Sequence, residues 1–115
     1  MTDIFCSIIS GEIPADVVFR DEAVIVFKDI RPQAPVHLLV VPIRHMEGIG
    51  DADTATLGTL LMAAHRVAHE QGLVDGYRLI VNDGEHGGKI VPHLHIHVLG
   101  GKHLGPKLAQ DSEVV

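Results

Sequence analysis

Apolar positions along this chain follow two periods, and the switches between them mark its elements. Near the N-terminus Ile4, Phe5, Ile8 and Ile9 recur at helical spacing, with Asp3 placed as an N-cap and Gly11 as a stop. Val17–Arg20 and residues 23–28 read as the strands of a hairpin turned at Asp21-Glu22. Residues 29–35 hold two prolines and read as an irregular loop, while 37–42 are apolar almost throughout, the pattern of a strand covered on both faces. Residues 53–72 form the one long helical pattern, with Leu57, Leu60, Leu61, Ala64 and Ala68 as its apolar stripe. Strands are expected again at 77–82 and 93–99, separated by a glycine-rich loop at 83–88. The order helix, β-β-β, helix, β-β predicts an α+β fold in one domain, 1–115, whose sheet is antiparallel. Residues 103–115 show no pattern and are read as a tail.

Composition narrows the function classes. Hydrophobic residues make up 46% and charged residues 21%, close to the globular average. The formal net charge is −6 and basic residues do not cluster, which argues against a nucleic-acid groove. One cysteine, Cys6, excludes an intrachain disulfide, and the absence of a signal-peptide pattern or a membrane-length apolar run predicts a cytoplasmic protein away from membranes. Nine histidines are the departure from average composition.

Three of them alternate in His93-Leu94-His95-Ile96-His97-Val98-Leu99. In a strand, His93, His95 and His97 share one face and the apolar residues the other. A solvated histidine-rich face is the plain reading. A metal site is a second one, although His93 and His97 start about 13 Å apart, too far for all three to hold one zinc. The third is nucleophilic catalysis at phosphorus. It needs an imidazole with one nitrogen free and the other held by an acceptor, and donors around the phosphate oxygens. The glycines of Asn82-Asp83-Gly84-Glu85-His86-Gly87-Gly88-Lys89, just upstream, fit a phosphate-holding turn.

The histidine segment resembles the signature of the histidine-triad (HIT) family, His-x-His-x-His. Gly100-Gly101 after it is closer to the Hint branch of nucleoside phosphoramidate hydrolases than to the Fhit dinucleotide hydrolases. The resemblance extends to Ile4-Phe5-Cys6-Ser7-Ile8-Ile9, Glu12-Ile13-Pro14-Ala15, Phe27-Lys28-Asp29-Ile30, Pro32-Gln33-Ala34-Pro35, Val40-Val41-Pro42 with His45, Asn82 and Gly87-Gly88. It implies a five-stranded antiparallel sheet with two helices, paired as a homodimer with a continuous sheet. The implied chemistry has two steps through a nucleotidyl-histidine, starting from a purine nucleotide substrate and releasing an AMP- or GMP-type product, without a cofactor.

By resemblance His95 is the nucleophile, His97 contacts the phosphate and assists the leaving group, and His93 and His45 orient the site. Asp29 would hold the ribose hydroxyls. Phe5, Ile8, Phe27 and Ile30 would form the base pocket, although on pattern alone they read more readily as core. Asn82, Gly88 and Lys89 would line the phosphate side. Relatives commonly carry a polar residue where this chain has Ile90, which leaves its backbone N–H as the group toward the phosphate. Some bacterial relatives bind zinc through Cys-x-x-Cys near the start. Here Asp3 replaces the first cysteine, so no metal ligands are expected. His37 is read as structural, His65 and His69 as boundary or solvent residues, and His86 and His103 carry no assigned role. The competing classes are a dinucleoside polyphosphate hydrolase of the same family, a metal-dependent hydrolase using two strand histidines, and a nucleotide-binding scaffold.

Overall fold

A computed structural model describes residues 3–106 of the chain. In chain order the elements are α1 (Ile4–Ser10), β1 (Val17–Arg20), β2 (Val24–Lys28), β3 (Val36–Pro42), a 3-10 turn (Ile49–Asp51), α2 (Thr54–Glu70), β4 (Arg78–Ile80) and β5 (Ile96–Gly100). All strand pairs are antiparallel, in the order β1-β2-β3-β5-β4. This is the expected α+β architecture, with five strands and two helices. Of the expected tail, residues 107–115 lie outside the described residues.

The first helix starts at the cap the sequence places, Asp3, and the second starts after Asp53, which caps it instead of opening it. The Asp3 carboxylate accepts from the Cys6 amide at 2.9 Å and the Asp53 carboxylate from the Thr56 amide at 2.8 Å, each satisfying an otherwise orphaned donor of a first turn. Gly11 closes α1.

The central strands β2 and β3 divide the interior into two layers. Val24, Val26, Leu38 and Val40 face α2 and pack with Leu60, Ala64, Val67, Ala68, Leu94, Ile96 and Val98. Their alternates Ile25, Phe27, Leu39 and Val41 face the other way and pack with Phe5 of α1. Period-two alternation alone produces this split, and burial on both faces explains why 24–27 and 38–41 are apolar without interruption. Ile25 is fully buried; Ile25→Val should cost about 1 kcal/mol of unfolding free energy in a denaturant titration, through one lost methyl group.

Three expectations are corrected. Leu61 is 50% exposed, and Val67 takes its place in the buried stripe of α2. At about 100° per residue Leu61 falls roughly 100° from Leu60, at the edge of the face, whereas Val67 lies about 20° from Leu60. β4 is three residues, not the expected 77–82. The last strand begins at Ile96 rather than at position 93, because its ladder with β3 ends at the Val40–Ile96 pair. Before that point the Leu94 amide bonds to the Met46 carbonyl instead of to a strand, and the His93 amide bonds to the Val91 carbonyl. Among the described residues no helix is long and apolar enough to cross a membrane.

Candidate active site

The α1 face of the sheet carries a cavity of about 490 Å³, of a size suited to a small-molecule ligand. Its wall is built from two ends. Phe5 and Ile8 of α1, Phe27 of β2, Leu39, and Ile30 after β2 form an apolar end. Asp29, Asn82, Gly88, Ile90, His95 and His97 supply the polar functions and the rim. Phe5 sits edge-on to Phe27 at 5.5 Å and to His95 at 5.0 Å between ring centroids, so one aromatic side chain joins the apolar end to the histidines. Phe5 and Phe27 are both core residues and cavity wall, so the two sequence readings describe the same side chains. Ile30, by contrast, is 86% exposed and Ile90 91% exposed; both stand at the rim.

The hydrogen bonds of the histidines fix their tautomers. His95 Nδ1 lies 2.7 Å from the His93 carbonyl oxygen, which only accepts, so Nδ1 carries the proton and Nε2 keeps its lone pair. His37, read as structural from sequence, is buried beside His97. The Gln33 amide donates to His37 Nδ1 at 3.0 Å, which places the His37 proton on Nε2. That N–H faces His97 Nδ1 at 2.9 Å, with Asp29 Oδ2 at 3.4 Å as a flanking acceptor. His97 then accepts at Nδ1 and carries its own proton on Nε2. The two histidines are therefore complementary: His95 has a free lone pair and His97 a free N–H. The signal for His37 was in the strand pattern. Residues 37, 39 and 41 share a face of β3, and Leu39 pairs with His97.

Burial, followed by the neighbouring His95 and His37, pushes the His97 pKa down to about 4. Burial likewise lowers those of His95 and His37. Each ring is thus neutral in the folded chain over a range where the unfolded chain, at the ordinary value near 6.5, is protonated. Between pH 6.5 and about 4 the unfolded state binds more protons, so stability falls as pH is lowered through that window. Thermal melts should show this loss, with about 1–2 kcal/mol coming from His97 once solvent screening of a half-buried ring is allowed for. A rise in stability over the same window would mean that the folded rings are charged.

The loop before the histidines is built for close approach. Asn82 Nδ2 donates to the Gly87 carbonyl at 2.7 Å. A Cβ at Gly87 would run into the Asp83 carbonyl, and Gly88 has φ +83°, in the left-handed region. Lys89 is turned off the cavity wall: its ammonium binds the Glu47 carbonyl oxygen and lies 3.7 Å from Asp83.

His93 and His45 also lie off the wall, in a second cluster behind it. Asp3 Oδ2 is 3.0 Å from His45 Nδ1, 3.2 Å from His93 Nδ1 and 3.4 Å from Cys6 Sγ. Cys6 Sγ is 3.5 Å from His45 Nδ1 and 3.6 Å from His93 Nδ1. A tetrahedral zinc with ordinary bonds separates such ligand atoms by about 3.3–3.6 Å. The donor set and its spacing therefore fit a zinc ion, despite the aspartate in place of a cysteine. The Asp29–His37–His97 group also brings three ligand-type residues together. It fits a metal poorly, because the Gln33 amide leaves no lone pair on His37 Nε2. His65 and His69 stand on the exposed side of α2, as expected for both.

Comparison with known proteins agrees with this geometry. A family model described as "HIT domain" matches residues 10–104. The chain is 44% identical over 110 residues, 92% of each chain, to a purine nucleoside phosphoramidase of Escherichia coli strain K12. Its fold superimposes with a TM-score of 0.88 on a HIT family hydrolase from Clostridium thermocellum, at 41% identity, covering 94% of this chain and 97% of that one. A zinc-bound histidine triad family protein from Mycobacterium smegmatis matches with a TM-score of 0.82 at 34% identity, covering 96% and 81%. By sequence and by structure alike, the chain belongs to the HIT domain family.

Proposed function

We propose that this protein is a nucleotide hydrolase that cleaves the P–N bond of purine nucleoside 5′-phosphoramidates through a covalent intermediate on His95. The observation that carries the reading is the complementary pair of tautomers beside the cavity: a His95 Nε2 lone pair next to a His97 Nε2–H. The name of the Escherichia coli relative supports the substrate class.

The apolar end of the cavity takes the purine, against Phe5, Ile8 and Phe27. Asp29 accepts from the ribose hydroxyls; its Oδ1 already accepts from the Arg31 amide at 2.8 Å, which holds the carboxylate in place. The phosphate rests against Asn82, Gly88 and the Ile90 backbone, where the Ile90 N–H takes the place of the polar side chain absent there and the Gly88 N–H is held by the Glu85 carbonyl. In the first step His95 Nε2 attacks the α-phosphorus. The P–N bond breaks, its electron pair leaves with the nitrogen, and the amine takes a proton from solvent while His97 Nε2–H hydrogen-bonds to the reacting group. In the second step water attacks phosphorus and gives up a proton to solvent, the N–P bond returns its electron pair to His95, and the nucleoside monophosphate departs. Where zinc is bound, Asp3, Cys6, His45 and His93 would hold it as a structural ion that ties α1 to the histidine segment. Neither step passes through that ion. The homodimer implied by the family resemblance would extend the sheet at one of its free edges, β1 or β4.

The test is intact-protein mass spectrometry on a reaction with an adenosine 5′-phosphoramidate, quenched at neutral to alkaline pH to preserve the N–P bond. One nucleotidyl group per chain, with a burst of amine matching the enzyme concentration, is expected. Turnover without adduct or burst would favour a metal-activated water. Binding of AMP without turnover would favour a scaffold.

A further inference from the structure

Lys89 turns its ammonium away from the cavity, toward the turn after β3. Only 15% of the side chain is exposed; the ammonium binds the Glu47 carbonyl oxygen and lies 3.7 Å from Asp83 Oδ1. The same carboxylate oxygen accepts from the Ile49 amide at 3.3 Å. Asp83 and Lys89 thus reach one turn, residues 47–51, from the two ends of the glycine-rich loop. The turn is closed on itself: Asp51 Oδ2 accepts from the amides of Glu47 at 3.1 Å and Gly48 at 3.2 Å. The loop is closed as well, its Lys89 amide donating to the Gly84 carbonyl at 3.1 Å and its Gly88 amide to the Glu85 carbonyl at 3.0 Å. Gly48 lies at the junction. Its φ of −156° suits any residue, yet a Cβ there would collide with Asp83 Oδ1 and stand 3.2 Å from Lys89 Nζ. A side chain at position 48 would drive the Asp83 carboxylate out of the contact.

Three glycines leave a loop many backbone conformations, and donors aimed at a phosphate are effective only when they are held in place before it arrives. A long side chain fixed across the gap restricts that freedom at folding, not at binding. We propose that Gly48, Asp83 and Lys89 form a brace that locks the glycine-rich loop against the 47–51 turn, and that Lys89 is a positioning residue: it acts on the phosphate through the Gly88–Ile90 backbone instead of meeting it as a cation. This role rests on the phosphate seat proposed above. Ile90 follows Lys89 directly, so the peptide whose N–H takes the place of a polar side chain is anchored at its lysine end. The pairing also suits the ammonium itself. A cation largely withdrawn from water needs a carbonyl and a carboxylate beside it, and the brace supplies both.

Adenosine and AMP are titrated by calorimetry into the parent chain, Lys89→Met, Gly48→Ala and the double variant. Neither titration needs turnover, so the covalent step at His95 does not enter. Each single variant should weaken AMP about 10-fold and leave adenosine within about two-fold, because only AMP uses the loop. The double variant should lose no more than either single one, since both open the same contact. Gly48→Ala keeps the lysine and frees its ammonium. Unchanged or tighter AMP binding in Gly48→Ala, beside a loss in Lys89→Met, would make Lys89 a direct phosphate ligand and overturn the brace. Equal losses for AMP and adenosine would overturn it too, as general loosening. Amide hydrogen exchange of the unliganded chain reads the loop without any nucleotide. The amides at 88 and 89 should exchange at least about 10-fold faster in both single variants, with those of α2 unchanged. Unchanged exchange at these two amides would overturn the brace even where AMP binds. Faster exchange in variants of a parent that binds no AMP would keep the brace and remove the nucleotide reading instead.

Discussion

Replacing His95 with alanine is expected to lower hydrolysis of an adenosine 5′-phosphoramidate by at least about 10⁴-fold, the scale on which removal of a covalent nucleophile acts. The His97 N–H, the glycine-rich turn and the apolar end all survive the substitution, so AMP binding should change far less than turnover. The fold should survive as well. His95 lines an open cavity, and the gap left by its ring fills with solvent rather than becoming an apolar void. Steady-state kinetics and the mass adduct should report the same answer: no turnover and no nucleotidyl group. Retention of a tenth or more of the parent rate by a folded His95→Ala chain would remove His95 as the nucleophile.

The second large effect is predicted at a residue that touches no substrate in this reading. His37→Leu should reduce kcat by about 10²–10³-fold while leaving KM within a few-fold, a smaller loss than the roughly 10⁴-fold that a wrong histidine tautomer costs a serine protease when its triad aspartate becomes asparagine. Leucine fills the space but removes the N–H that faces His97 Nδ1. His97 is then free to carry its proton on Nδ1, and it presents a lone pair instead of a donor to the reacting phosphate. In both enzymes the geometry is kept while the proton sits on the wrong nitrogen. His37→Gln separates tautomer control from packing, since its amide N–H can still reach His97. It should recover at least about tenfold over His37→Leu. Equal rates in the two variants would assign His37 to packing alone.

The residues also show why some features were legible in the sequence and others were not. β2 followed from the hairpin turned at Asp21-Glu22, and β3 from its apolar run at 38–41, because burial on both faces leaves no other pattern. The start of α1 was legible because Asp3 binds an amide three residues on, a purely local event. The triad alternates as a strand does, yet only His97 lies in one. The outer two histidines obey side-chain alternation without a pairing partner, and sequence cannot report the partner's absence. His37 was missed because its role depends on β3–β5 register. The Asp3–Cys6–His45–His93 group was missed for a related reason. Its ligands come from α1, from the loop after β3 and from the approach to β5, and a motif that expects two cysteines discards the aspartate.

The seven-residue helix α1 holds both groups at once. A helix of two turns has little stability of its own in water and persists only while it is packed. Ile4, Phe5 and Ile8 of that helix wall the cavity, while Cys6 and its cap Asp3 belong to the cluster behind it. Any local opening that lifts α1 therefore empties the pocket wall and dismantles the cluster in the same event. Loss of ligand, break-up of the Asp3–Cys6–His45–His93 cluster and fraying of the N-terminus become a single equilibrium. A substitution on either face of this helix carries consequences for both.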